Sequence, residues 1–156
     1  MRHGEAGEWA QGDFHRALTA HGQAQARASA QGLRSLFARL GTRPATLWHS
    51  PYRRALQTAT IVGEILGVTL VEDDRFLPEA DADAAARALR QAGRGPLLVV
   101  AHLPILPGIA FALGAGAPHL ATASVVHIVV GGDAGMVCGQ WTSAQLGQLA
   151  AQGTTP

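Results

Sequence analysis

The hexapeptide Pro96-Leu97-Leu98-Val99-Val100-Ala101 contains no polar side chain, and it sets the strongest limit on the fold of this chain. A strand with one wet face alternates apolar and polar residues, so an unbroken apolar run that ends at His102 describes a strand covered on both faces. Such a strand belongs to a parallel sheet with helices above and below it. The neighbouring pattern agrees, because Pro104 to Leu113 continues as an apolar helix directly after it.

The same alternation runs along the rest of the chain. Ala26, Ala30, Leu33, Phe37 and Leu40 repeat at helical spacing between Thr19 and Leu40, and Gly41 is placed to stop that helix. A short strand, Ala45 to His49, runs into a second helix opened by Ser50-Pro51, carried by Ala55, Ala59, Val62 and Leu66, and stopped by Gly67. Val68 to Val71 reads as a strand, and Asp81 caps a helix extending through Gln91. Two β-rich runs follow, Ala123 to Val130 and Met136 to Trp141, joined by Gly131-Gly132-Asp133-Ala134-Gly135 as a hairpin. These elements predict one α/β domain over residues 1–156, three-layer α/β/α, with a mostly parallel central sheet.

Composition narrows the partners. At 47% hydrophobic and 15% charged, 156 residues suffice for one sizeable core. The net charge is only +1, which gives no broad field for holding nucleic acid or an anionic membrane surface, so an anion site must be local. All twelve cations are arginines, the side chain suited to bidentate recognition of oxyanions. Cys138 is the single cysteine and cannot form an internal disulfide; in the run GMVCGQW it reads as a buried structural thiol, and the expected compartment is the cytoplasm. No apolar stretch reaches the roughly 18 residues of a membrane span.

In open parallel sheets, ligands bind beyond the carboxyl ends of the strands. Ser50-Pro51-Tyr52-Arg53-Arg54 and His102-Leu103-Pro104 occupy such ends. Arg2-His3-Gly4 would be a third on the same edge if a strand preceded it. The blocks RHGEA, SPYRRALQTA and VVAHLPIL, in that order, resemble the three signatures of the histidine phosphatase superfamily, the phosphoglycerate-mutase-like fold. Arg16-Ala17-Leu18-Thr19-Ala20-His21-Gly22 resembles that family's R-x-L-T-x-x-G segment, and the His-Leu-Pro at 102–104 with the short chain is most similar to the SixA-type phosphohistidine phosphatases.

The resemblance implies that His3 is a nucleophile forming a phosphohistidine intermediate, which suits an imidazole neutral near pH 7. It implies that Arg2, Arg16 and Arg54 bind the phosphoryl oxygens, the charge neutralisation that phosphoryl transfer demands. His102 is implied as the second histidine, donating to a phosphate oxygen and expected to be protonated while His3 is neutral. Gly4 is expected to let the backbone approach the phosphate, and the amide end of the helix after Ser50 to assist. Glu79, in Phe76-Leu77-Pro78-Glu79, is the possible general acid; an imidazole leaving group needs little such help, and the alternative is a loop carboxylate. Arg53 reads as solvated and Glu5 as exposed or supporting. His15, His21, His49, His119 and His127 lack metal-site spacing and read as structural or surface residues, and neither a metal nor a cofactor is expected.

Family members carry a short apolar strand before R-H-G, whereas here only Met1 precedes it. The first strand is therefore expected to be missing or truncated before Met1, with the native start upstream or the sheet assembled without it. The functional expectation is a phosphatase acting on phosphohistidine of a phosphorelay protein. The alternatives are a small-molecule phosphomonoesterase of the same superfamily, with a phosphorylated metabolite as substrate, and a non-catalytic phosphoprotein-binding module.

Overall fold

The structure is a computed structural model and describes residues 1–8, 12–93, 95–132 and 134–152. The first helix, α1 (Ala20–Arg39), begins where Thr19 accepts a hydrogen bond from the Gly22 amide, and Gly41 follows its end with φ 62°. Strand β1 (Thr46–His49) leads through Ser50-Pro51 into α2 (Arg53–Leu66), which ends at Gly67 in the left-handed conformation at φ 66°. Strand β2 (Thr69–Glu72) follows, then α3 (Ala82–Gln91), whose cap Asp81 accepts from the amides of Asp83 and Ala84. Strand β3 (Leu98–Val100) and α4 (Ile105–Ala112) realise the apolar run and the helix after it. Strands β4 (Val125–Gly131) and β5 (Ala134–Trp141) form the hairpin, of which Asp133 lies outside the described residues. The last helix, α5 (Ser143–Gln152), has no counterpart in the sequence reading.

The sheet is parallel in the order β2-β1-β3. Met1 to His3 lie beside β3, at the edge where the first strand was expected to be missing or truncated. Arg2 bridges Ala101 in parallel, the His3 amide donates to the Ala101 carbonyl at 3.0 Å, and the Ala101 amide donates to Met1 at 3.1 Å. On their other side the Arg2 amide donates to Ser124 and the Ala123 amide donates to His3. The first strand is thus reduced to a single parallel bridge, in keeping with the truncation expected, and the backbone on both flanks of His3 is hydrogen-bonded.

Alternation along the strands divides the core in two. Leu47, Leu98 and Val100 meet Ala30, Leu33, Ala59, Val62 and Leu146 on the side of α1, α2 and α5. Trp48 and Val99 point the other way and pack with Phe76, Ala85, Ala86, Ile105 and Ile109 beside α3 and α4. Helices therefore cover both faces, which is why β3 could dispense with polar residues. No helix among the described residues is long and apolar enough to cross a membrane. Cys138 is exposed, contrary to the buried role expected of it. It lies on the antiparallel hairpin, a separate two-stranded sheet, where Met136 and Val137 are exposed as well.

Candidate active site

The carboxyl ends of β1 and β3 and the segment after Arg2 meet at one edge. Ser50 donates its amide to Val100, which aligns Ser50 with His102, and the pairing of Arg2 with Ala101 brings His3 alongside. A cavity of about 390 Å³ opens there, lined by Arg2, His3, Asp13, Arg16, Arg54 and His102 among others. The structure thus brings together every arginine and both histidines singled out in the sequence. Glu79 is exposed and does not line the cavity, although Pro78 does; its charge raises the Tyr52 hydroxyl, after the larger effect of desolvation.

His3 is buried, and its Nδ1 lies 2.7 Å from the Gly4 carbonyl oxygen. A carbonyl only accepts, so Nδ1 carries the proton and Nε2 keeps its lone pair. That lone pair accepts a hydrogen bond from Arg54 Nε at 3.2 Å. Burial lowers the His3 pKa to about 4, with the charges of Arg54, Arg2 and Arg16 adding to the effect while the Gly4 hydrogen bond opposes it. A neutral imidazole results, its unprotonated Nε2 hydrogen-bonded to Arg54.

His102 is 1% exposed, and its ring centroid stands 5.0 Å from that of His3. Burial, with His3, Arg54 and Arg2 contributing, lowers its pKa to about 3 against a smaller opposing effect of Asp13. The protonated His102 expected from the sequence is therefore not what this site favours: the same burial that keeps His3 neutral keeps His102 neutral too. Protonation is also unnecessary for donation. Ser50 Oγ lies 2.8 Å from His102 Nε2, and a hydroxyl that donates there leaves the proton on Nδ1, a buried atom without a partner among the described residues.

The arginines are held individually. Arg54 is 4% exposed, donates through Nη1 to the Asp13 carbonyl at 2.6 Å and through Nη2 to Asp13 Oδ2 at 3.0 Å, and stacks over the Tyr52 ring at 4.8 Å. Arg16 donates through Nε to Gly7 at 2.7 Å and through Nη1 to Asp13 Oδ1 at 3.0 Å. Arg2 donates to the Leu120 carbonyl at 2.9 Å while its buried Nε has no partner among the described residues, and a guanidinium Nε can only donate. Asp13 escaped the sequence reading because nothing in the chain-order pattern links an isolated aspartate to an arginine 41 residues later. Among the described residues no cluster of three or more His, Cys, Asp or Glu could hold a metal ion.

Gly4 is required where the chain packs against α1. A Cβ there would stand 2.4 Å from the Gly22 carbonyl oxygen, so the crowding is against the first turn of α1. His49 is buried with its Nδ1 at 2.9 Å from the Ser50 carbonyl, whereas His15, His21, His119, His127 and Arg53 are exposed.

Both site histidines bind protons less readily in the folded state than at their ordinary 6.5. As pH falls below 6.5 the unfolded chain takes up protons that the native chain refuses, so stability falls toward pH 4. For His3 alone the loss amounts to about 3 kcal/mol at full effect. Urea midpoints at pH 7.5 and pH 4.5 check this, and an unchanged or higher midpoint at the lower pH would contradict it.

The family model of the histidine phosphatase superfamily (branch 1) matches residues 1–85, more than half of the chain. No curated protein matches it at a significant level. Among solved structures, the protein histidine phosphatase SixA complexed with tungstate superposes with a TM-score of 0.80 at 26% identity, covering 94% of this chain and 96% of that one. A SixA-type protein from Agrobacterium tumefaciens reaches 0.73 at 21% identity over 90% of this chain and 94% of its own. A mutant phosphoserine phosphatase from Entamoeba histolytica, in complex with phosphoserine, reaches 0.66 at 17% over 93% and 96%. The last two show a shared fold. The matched segment holds His3, Arg16 and Arg54, and the sheet supplies His102 from beyond it, so the chain belongs to the histidine phosphatase superfamily as a phosphatase of SixA-type architecture.

Proposed function

We propose that the chain hydrolyses phosphohistidine on a phosphorelay protein through a phospho-His3 intermediate. The observation that carries this reading is the His3 geometry: Nδ1 fixed on Gly4 and an unprotonated Nε2 that accepts from Arg54 inside a cavity lined by three guanidinium groups. His3 Nε2 attacks phosphorus, the bond from phosphorus to the substrate imidazole breaks, and the electron pair stays on the departing ring nitrogen. That imidazole leaves neutral once its other nitrogen carries a proton from solvent. Water then attacks phosphorus, the Nε2–P bond breaks, and phosphate departs with His3 restored.

Arg2, Arg16 and Arg54 neutralise the equatorial oxygens during both transfers, and His102 donates from Nδ1. Transfer between two imidazoles exchanges like for like, so no strong acid is needed, in keeping with a cavity that Glu79 does not line. The single cysteine supports a reducing, cytoplasmic setting.

Phosphate release from a phosphohistidine-bearing phosphotransfer domain is expected to exceed that from O-phosphoserine by about a hundredfold or more in kcat/KM, because the serine alkoxide must find a proton. Equal rates would favour the phosphomonoesterase reading. Phosphate binding without release from either substrate would favour a binding module.

A further inference from the structure

Asp13 introduces a negative charge into a cavity otherwise suited to anions. Its carboxylate places one oxygen 3.0 Å from Arg16 Nη1 and the other 3.0 Å from Arg54 Nη2, spanning the two guanidinium groups as two oxygens of a bound phosphoryl group would. It is ionised: desolvation pushes its pKa up, but the hydrogen bonds from Arg16 and Arg54, with their charges, hold it below the usual carboxylate range. We propose that Asp13 is an internal competitor for phosphate, a carboxylate that weakens the hold of the arginines on the anion and so permits product release. The inference rests on the cavity being the phosphate site.

A purely positioning role is the rival, and the hydrogen bonds argue against it. Arg54 keeps two anchors that do not involve the carboxylate, the Asp13 main-chain oxygen at 2.6 Å and His3 Nε2 at 3.2 Å. Arg16 is likewise tied to the Gly7 carbonyl at 2.7 Å. The guanidinium groups therefore stay in place without the side chain of Asp13, while its charge is what they lose. Of the other carboxylates, Glu5 also lines the cavity, but its Oε1 is engaged by the Thr19 hydroxyl at 2.8 Å. For a phosphatase the consequence is direct: with the Asp13 charge removed, the three arginines would hold more tightly the phosphate dianion that must leave before the next turnover.

The two roles predict opposite signs. Equilibrium dialysis of inorganic phosphate at pH 7.5 against the wild-type chain and D13N is expected to give binding about tenfold tighter in the variant, from the loss of one negative charge in contact with the anion site. Asp13→Ser, which also preserves the main-chain anchor, should shift the same way. Equal or weaker binding in D13N overturns the inference and leaves the phosphatase reading intact. Failure of both variants to fold, judged by circular dichroism, would make the carboxylate a structural clamp and overturn it as well. Absence of phosphate binding by the wild-type chain and D13N alike would remove the phosphate site itself.

Discussion

Replacing His3 with alanine is expected to lower phosphate release from phosphohistidine by about four orders of magnitude or more, since removal of a covalent nucleophile deletes the whole two-step route. The fold should survive. The main-chain bonds of residue 3 to Ala101 and Ala123 do not involve the imidazole. Inorganic phosphate should still bind, because the guanidinium groups of Arg2, Arg16 and Arg54 remain. The decisive measurement is a brief incubation with a radiolabelled phosphohistidine substrate, followed by alkaline gel separation. A label on the wild-type chain that is lost in acid, and absent from the variant, is the expected pair of results. A label of equal intensity on His3→Ala would assign the nucleophile elsewhere.

The second large effect concerns a residue that touches no substrate. A Cβ on Gly22 would lie 2.0 Å from the Glu5 carbonyl oxygen and 2.7 Å from the Glu5 amide nitrogen. Both obstacles are backbone, so no rotamer change relieves them. Gly22→Ala should therefore destabilise the chain by about 3 kcal/mol, the upper range for overpacking. What survives folded should be slower by about a hundredfold, because the segment that must withdraw is the one carrying His3. Thermal denaturation and kcat measured on the same preparation separate the two effects. An alanine variant with unchanged melting temperature and rate would refute the interlock between Gly4 and Gly22.

That interlock bears on how far the sequence could be read. The glycine of the R-x-L-T-x-x-G segment resembles a family feature, but its physical reason, backbone packed on backbone, has no expression in periodicity or composition. Helices α1, α2 and α3 were legible because each carries a regular apolar face and a visible stop or cap. Helix α5 was not, since Ser143–Gln152 buries only Leu146 completely and is interrupted by Gly147. Its signal was local. Thr142 and Gln145 exchange hydrogen bonds, with the Gln145 side chain accepting from the Thr142 amide at 2.8 Å, a capping box spelled T-x-x-Q. Arg54 and His102 were readable from the strand ends they follow, and Arg2, His3 and Arg16 through the resemblance of their blocks to the family's, whereas Asp13 became visible only once the chain had folded Arg54 against it. The burial that lowers the His102 pKa comes from tertiary packing, which no motif encodes.

Thr58 gives the site a mechanical property. Its buried hydroxyl accepts from the Gly4 amide at 3.1 Å and donates to the Arg54 carbonyl at 2.7 Å, so it stitches the nucleophile segment to the first turn of α2. His3 and Arg54, far apart in the chain, thereby travel as one rigid piece. Loosening α2 at a point remote from the cavity would displace the attacking nitrogen and a phosphate-binding guanidinium together, so the damage would register in substrate capture and in the chemical step alike.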